Sequence, residues 1–389
     1  MHKVRLLYVT TVPLTQYLLL RGQNAFLAGK GFELHTITSP GEELDRLIER
    51  DNVIAHPVPI DRAIRPLRDL VSLVRIANKM RRIRPDIVHL STPKAALLGA
   101  IAAWALRVPV RVFLVRGLSS EAATGPVRRL YQLLERLTAL LSTDVVCIAP
   151  SLLRYAYTNK IIDSGTGVVI GNGMSNGIDT RRFDPDVVES VTLSTATSVK
   201  RWIGFVGRLA ADKGLEEIAI AWRTIRKLYP DSGLILVGHW ETHDSISPKI
   251  RREFEADPRV VLPGAVADVR PWLRAMNVFL FPPRGAEGFP NAPMEASAMG
   301  LPVVATRVVG CLDAVVDGVT GILVPSRDPD AIVRAVSWYF DHPGAAVEHG
   351  CHGRKRVIEK FAQESVWKGM YQYYIDSLRR HDRNNTEFG

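Results

Sequence analysis

Arg208 and Lys213 leave one short loop, GFVGRLAADKG, at the end of a β-rich run. A guanidinium fork beside an ammonium point charge makes a clamp for a diphosphate; a merely solvated pair is the plain alternative. The second stretch with chemistry is PPRGAEGFPNAPMEASAMGLPVVAT, residues 282–306, in which Glu287 and Glu295 have seven residues between them. It reads as a strand end, a Gly- and Pro-containing loop, and a helix that starts near Asn291 or Ala292. Free N–H groups at such a helix start suit a phosphate, and Gly288 lets the backbone come close to it. Glu295 falls near the first turn, where the macrodipole favours a carboxylate, so capping competes with ligand binding. Glu287 sits outside any helix. It either accepts hydrogen bonds from the hydroxyls of a polyol or is a solvated loop charge.

Positioning these groups takes a scaffold, and the pattern supplies one. Runs such as VRLLYVT, ELHTITS, NVIAHPV, DIVHLST and PVRVFLV alternate with amphipathic segments, the βαβ rhythm of a parallel sheet. Residues 184–200 are rich in Ser, Thr and Val and lack periodicity. The rhythm then restarts with WIGFVG, a helix over Leu215–Leu228, GLILVG, VVLPG, NVFLFPP, a helix over 292–299, PVVAT and GILVP. The expected organisation is α/β: a Rossmann-like domain over 1–183, a linker over 184–200, and a second Rossmann-like domain over 201–364. A helix at 365–378 follows, crossing back to the first domain, with a disordered tail from Arg379. Two doubly wound domains place ligands at their C-terminal strand ends, in a cleft between them.

The 389 residues carry 50 Lys and Arg against 40 Asp and Glu, with 47% hydrophobic residues, an ordinary globular balance. The charge is uneven. Residues 1–183 hold 25 basic and 14 acidic side chains, the remainder 25 and 26. Residues 61–84 alone carry eight basic and two acidic residues interleaved with Leu67, Leu70, Val71, Val74 and Ile76, either an amphipathic membrane-surface helix or one packed on the sheet with solvated arginines. The most apolar uncharged run, 95–106, is shorter than the roughly 20 residues a span needs, and polar residues interrupt the N-terminal stretch, which reads as a strand. Cys147, Cys311 and Cys351 have no motif spacing and suit a reducing cytoplasm. The patterns Asp184-Pro185-Asp186 and Asp328-Pro329-Asp330 read as turn chemistry, and no metal or other cofactor is expected. TTVPLTQY stands where a dinucleotide-binding G-x-G-x-x-G would be, which excludes an NAD-dependent dehydrogenase.

Together GRLAADKG and EGFPNAPME resemble the donor-site signatures of the retaining family 4 glycosyltransferases, and the likeness extends over nearly the whole chain. The resemblance implies the GT-B fold. It implies that Arg208 and Lys213 hold the diphosphate of a nucleotide-sugar, with a UDP-sugar expected, that Glu287 contacts sugar hydroxyls and that Glu295 contacts the ribose. Gly207, Gly288, Phe289, Pro290, Asn291 and Val266 complete the donor site. Segments HLSTPKAALLGAIAA and VRGLSSEAATGPVRR are similar to the branch that builds polyprenyl-diphosphate-linked oligosaccharides for capsule, exopolysaccharide or glycan precursors. That implies a lipid-linked saccharide acceptor and a peripheral place on the cytoplasmic face of an anionic membrane. Many members carry a His where this chain has Arg116. Arg116, with Lys94, is then a contact for acceptor or phosphate, or else Arg116 pairs with Glu121 or Glu135. A UDP-sugar 2-epimerase of the same architecture is the rival enzyme. A nucleic-acid-binding protein rests on charge alone, with no recognition motif, and no nucleic acid partner is expected.

Overall fold

The computed structural model describes residues 3–61, 63–193, 199–242, 246–285 and 287–386, with side chains to residue 381. Arg62 of the basic stretch, Ala286 beside Glu287, residues 194–198 of the expected linker and the last three residues of the expected tail lie outside the described residues. The chain forms two compact units, one of residues 1–177 with 363–389, the other of residues 178–362.

The first unit is built on a seven-stranded sheet. Its strands are β1 (Val4–Val9), β2 (Phe32–Thr38), β3 (Ile54–Pro57), β4 (Ile87–Leu90), β5 (Val110–Val115), β6 (Asp144–Cys147) and β7 (Gly167–Val168), in the order β3-β2-β1-β4-β5-β6-β7. Every pairing is parallel. The second unit has β8 (Arg201–Val206), β9 (Ser232–Val237), β10 (Val260–Gly264), β11 (Val278–Phe281), β12 (Val303–Thr306) and β13 (Gly321–Val324), in the order β10-β9-β8-β11-β12-β13, again all parallel. Helices on both faces leave the inner strands no solvent side, and runs such as GLILV, fully buried in β9, are apolar at every position for that reason. Each sheet reverses its winding at one place, between β1 and β4 and between β8 and β11.

The second unit begins at Ile178, before the boundary expected at 183. Ile178 bridges Ala362, Phe183 Oand Asp184 hold the Arg354 guanidinium at 3.0 and 2.8 Å, and Val191 N–H donates to Pro271 O at 3.2 Å. Among the described residues of 184–200 there is no helix or strand, yet these bonds fasten the segment to the second unit. Asp184 therefore has a structural partner, and Asp328 caps the helix Pro329–Asp341 through Ala331 N–H at 2.8 Å.

The terminal helix corrects another expectation. It runs over Gln363–Thr386, past Arg379, where order was expected to end. The reason is Asp144 of β6, which accepts hydrogen bonds from Tyr373 at 3.0 Å, Ser377 at 2.8 Å and Arg380 at 2.8 Å, one turn of helix after another. Trp367 fills the space over Gly22, where a Cβ would lie 2.5 Å from the indole, and Gly22 also adopts a φ of +82°. No other residue fits there.

Candidate active site

The C-terminal edge of the second sheet brings the two signature loops together. Gly207 follows β8, and a Cβ on Gly238 just beyond β9 would lie 1.8 Å from Gly207 O, so these neighbouring strand ends touch backbone to backbone. Gly214, at φ +78°, starts the helix Leu215–Leu228 against Pro282 O, with only 2.0 Å for a Cβ. That contact sets the loop of Arg208 and Lys213 on the loop after β11. Arg284 reinforces it: its backbone N–H donates to Asp212 O at 2.9 Å and its guanidinium binds Glu216 and Glu217. Gly310 does the same on the other side, where a Cβ would lie 2.2 Å from Glu287 O.

Lys213 and Glu287 meet directly in a half-buried ion pair, and Lys213 also lies 3.3 Å from Asp212. Arg208 binds Asp212 and Glu241, each at 3.0 Å. Burial works against the Arg208 charge, but Asp212 and Glu241 outweigh it and raise the pKa. The clamp expected from the sequence is thus a charge lattice of two cations and three carboxylates. A diphosphate entering it takes the place of carboxylate oxygens that already satisfy the cations, so much of its Coulombic gain is an exchange of partners. Asp212 and Glu241 were not singled out in the sequence, although Asp212 stands only four residues from Arg208 in the same loop.

Glu295 is the fifth residue of the helix Asn291–Ala298. No side chain caps this helix, which removes the capping reading of Glu295. Its carboxylate is recessed, and burial pushes it up to about 7 against the pull of Arg182. Among the described residues it has no hydrogen-bond partner. Arg182 also lies 4.0 Å from Asp268, and Arg270 donates to Arg182 O at 3.0 Å, which ties the loop of Val266 to the surroundings of Glu295. Arg182 was not predicted; it lies in NGIDTRRF, upstream of the expected second domain.

Other expected members of the donor site divide. Gly288 and Asn291 stay on the accessible side of the loop. Phe289 turns its ring inward: it is 7% exposed and packs 5.4 Å from that of Phe361 in the core, with Pro290 buried behind it as the N-cap residue. An apolar ring between two loop polar residues gains more from the core than from a solvated ligand. In the first unit Lys94 and Arg116 differ in their partners. Lys94 pairs with Asp69 at 2.5 Å and donates to Ala63 O, pinning one helix to its neighbour. Among the described residues Arg116 forms no ion pair, and Glu135 is held instead by Ser120 N–H at 3.2 Å and Oγ at 2.6 Å.

Two doubly wound parallel sheets, the second with the signature loops at its C-terminal strand ends, are the GT-B architecture of glycosyltransferases. The sequence relationships agree. Residues 22–173 match the glycosyl transferase 4-like domain and residues 200–342 the glycosyl transferases group 1 family. The capsular polysaccharide biosynthesis glycosyltransferase CapM of Staphylococcus aureus is 34% identical over 363 residues, 93% of this chain and 94% of its own. The UDP-Gal:α-D-GlcNAc-diphosphoundecaprenol α-1,3-galactosyltransferase of Escherichia coli is 27% identical, over 86% of this chain and 87% of its own. Among solved structures, Anabaena HepE in complex with UDP superposes with a TM-score of 0.77 at 17% identity, covering 96% of this chain and all of its own. This chain belongs to the group 1 and family 4-like glycosyltransferases.

Proposed function

We propose that this enzyme moves a hexose or N-acetylhexosamine from a UDP-sugar to a polyprenyl-diphosphate-linked saccharide, with retention of configuration, in the assembly of a cell-surface polysaccharide or glycan precursor. The observation that carries the donor half is the convergence of Arg208, Lys213 and Glu287 at one strand-end site, with recessed Glu295 on the helix that follows. The acceptor half is supported by the relatives, one named for a capsular polysaccharide and one for a diphosphoundecaprenol-linked sugar.

Sugar transfer needs stabilisation of a departing diphosphate while positive charge grows at the anomeric carbon. Arg208 and Lys213 take the phosphate oxygens as Asp212 and Glu287 release them. Glu287, freed from Lys213, accepts hydrogen bonds from hexose hydroxyls, and Glu295 does so from the ribose. With retention, the leaving phosphate takes the acceptor proton on the face where the new bond forms, so no side chain is assigned as general base. The site works without a metal or other cofactor in this reading, the two cations serving the leaving group.

The test is UDP release from a UDP-sugar with and without a polyprenyl-diphosphate sugar. Acceptor-dependent release supports transfer. A sugar altered without acceptor identifies an epimerase, and silence across a panel of nucleotide-sugars defeats the proposal.

Membrane docking belongs to the same reading. No helix among the described residues is long and apolar enough to cross a membrane. The helix Pro66–Ile83 buries Ile76, Met80 and Ile83, yet leaves Leu67 83% exposed and Leu70, Val71 and Val74 about half exposed, with Arg81 and Arg82 in its last turn. The helix Gly125–Leu141 likewise exposes Val127, Leu130, Leu133 and Leu140. Exposed apolar residues among arginines fit an anionic bilayer surface. Co-flotation with phosphatidylglycerol vesicles at low salt is expected. The double substitution Arg81→Ala, Arg82→Ala should weaken it by at least about tenfold, at about 1 kcal/mol per basic residue. Equal flotation with neutral phosphatidylcholine vesicles would remove the electrostatic part of the reading.

A further inference from the structure

Behind the donor site runs the helix Pro343–Lys360, packed so closely on the end of the Glu295 helix that a Cβ on Gly350 would lie 2.0 Å from Gly300 O. This approach brings the following turn, with Arg354 and Arg356, within reach of both segments that carry the site's carboxylates. Neither arginine belongs to a signature loop.

Arg356 supports Glu287 from two sides. Its guanidinium donates to Ala314 O at 2.8 Å and to Asp313 O at 2.6 Å, the last carbonyls of the short helix Cys311–Ala314. Carbonyls at a helix end lack helical partners and favour a cation. At the other end of that helix stands Gly310, whose carbonyl takes the Ala314 N–H at 3.0 Å and whose backbone abuts Glu287 O. Glu287 N–H donates to Val309 O at 3.1 Å, immediately before Gly310. The same guanidinium lies 4.7 Å from the ring centre of Phe361, on which the ring of Phe289 packs two residues after Glu287. Glu287 and Phe289 thus rest on Gly310 and on Phe361, and Arg356 braces both supports. Burial lowers the Arg356 pKa against the pull of Asp313, so holding the charge here costs stability. An apolar side chain of similar size would avoid that cost, but it would release the two carbonyls.

Arg354 stands in the corresponding relation to Glu295. It donates to Ala298 O at 2.6 Å, at the end of the helix Asn291–Ala298, and to Phe183 O at 3.0 Å, and it pairs with Asp184 at 2.8 Å. Phe183 follows Arg182, the cation whose charge acts on Glu295. One planar fork therefore joins the end of the Glu295 helix to the segment that brings Arg182 beside it. Lysine cannot bridge in this way, because a single ammonium lacks the fork.

We propose that Arg354 and Arg356 are positioning residues for sugar transfer: Arg356 holds Glu287 where it meets the hexose, and Arg354 holds Glu295 and Arg182 where they meet the nucleoside. The proposal rests on the donor-site reading above and divides that site in two, since UDP lacks the hexose. In the full-length protein, UDP binding is measured by calorimetry. Transfer to a polyprenyl-diphosphate sugar is measured as kcat with whichever of UDP-glucose, UDP-galactose and UDP-N-acetylglucosamine the wild type uses fastest. The variants are Arg356→Gln, Arg354→Gln and Lys213→Ala. Arg356→Gln is expected to lower kcat about tenfold or more while UDP affinity stays within about twofold, and Arg354→Gln to weaken UDP binding about fivefold or more. A support of the fold alone would lower both quantities together or neither. Parallel losses in both variants, a reversed division, or both quantities held within about twofold of wild type overturn the proposal. Should either glutamine variant fail to fold, its lysine counterpart, which keeps the charge and loses the fork, is scored on the same two quantities. Lys213→Ala keeps the two readings apart. Unchanged UDP binding there defeats the donor site and this division of it, whereas lost UDP binding there, with the arginine variants like wild type, defeats the division alone.

Discussion

Replacing Lys213 by alanine is expected to lower kcat/KM for sugar transfer by about a thousandfold, the upper range for removing one group that stabilises a developing anion. Two effects combine. The leaving diphosphate loses a point charge, and Glu287 loses the cation that balances it at the spot where negative charge must gather. Removing one partner of a half-buried pair leaves the other uncompensated, which usually does more damage than the pair did good. The geometry therefore makes a sharper statement than the single variant. Adding Glu287→Gln to Lys213→Ala should restore part of the UDP affinity, because the stranded carboxylate is gone, although the sugar contact is not regained. Such non-additivity is what groups in direct contact show. A loss below about tenfold for Lys213→Ala, or strictly additive effects in the double variant, would show that these two side chains do not share a diphosphate site.

Glu295→Gln is expected to push stability and binding in opposite directions. The native carboxyl holds its proton up to about 7, whereas in the unfolded chain it ionises near 4.5. As pH rises from 4.5 towards 7 the unfolded state sheds a proton that the native state keeps, so the native state loses stability over that window and no further above it. At roughly 1.4 kcal/mol per pH unit the loss is about 1–3 kcal/mol, taken with allowance for partial solvent access. Glutamine cannot ionise and escapes it. The variant should melt higher than wild type at pH 8 and no differently at pH 4. Its UDP affinity at pH 8 should fall at least about tenfold, since the ionised carboxylate is the stronger acceptor for ribose hydroxyls. Calorimetry of unfolding at the two pH values, beside a UDP titration, checks both halves. A variant that melts lower at pH 8 while binding UDP normally would mark Glu295 as a structural residue. Carboxylates kept recessed without a partner are the pattern expected where function is held against stability.

The fold was largely legible because parallel strands buried on both faces must be apolar throughout, and segments such as GLILV and NVFLF can do little else. The helix Leu215–Leu228 coincides with its expected span, bounded by Gly214 and by the end of its periodicity. The donor loops were legible as motifs, since glycine, proline and paired charges mark the chain where backbone approaches closely. The pairing of those charges was not. Glu241 reaches Arg208 across 33 residues and Glu287 reaches Lys213 across 74, distances over which no local pattern operates. Phe289 shows the same limit from the other side: nothing within EGFPN says that Phe361 waits in the core to receive its ring. The surroundings of His89 were least readable of all, because Tyr374 approaches it from 285 residues further along the chain.

That last contact has a consequence for how the protein is made. The unit that leaves the ribosome first lacks its closing helix until residues 363–386 have been made, while residues 178–362 come out as one uninterrupted piece. The later half can therefore complete its core while the earlier one still waits, with Asp144 and His89 uncovered, reversing the usual N-to-C order of domain maturation.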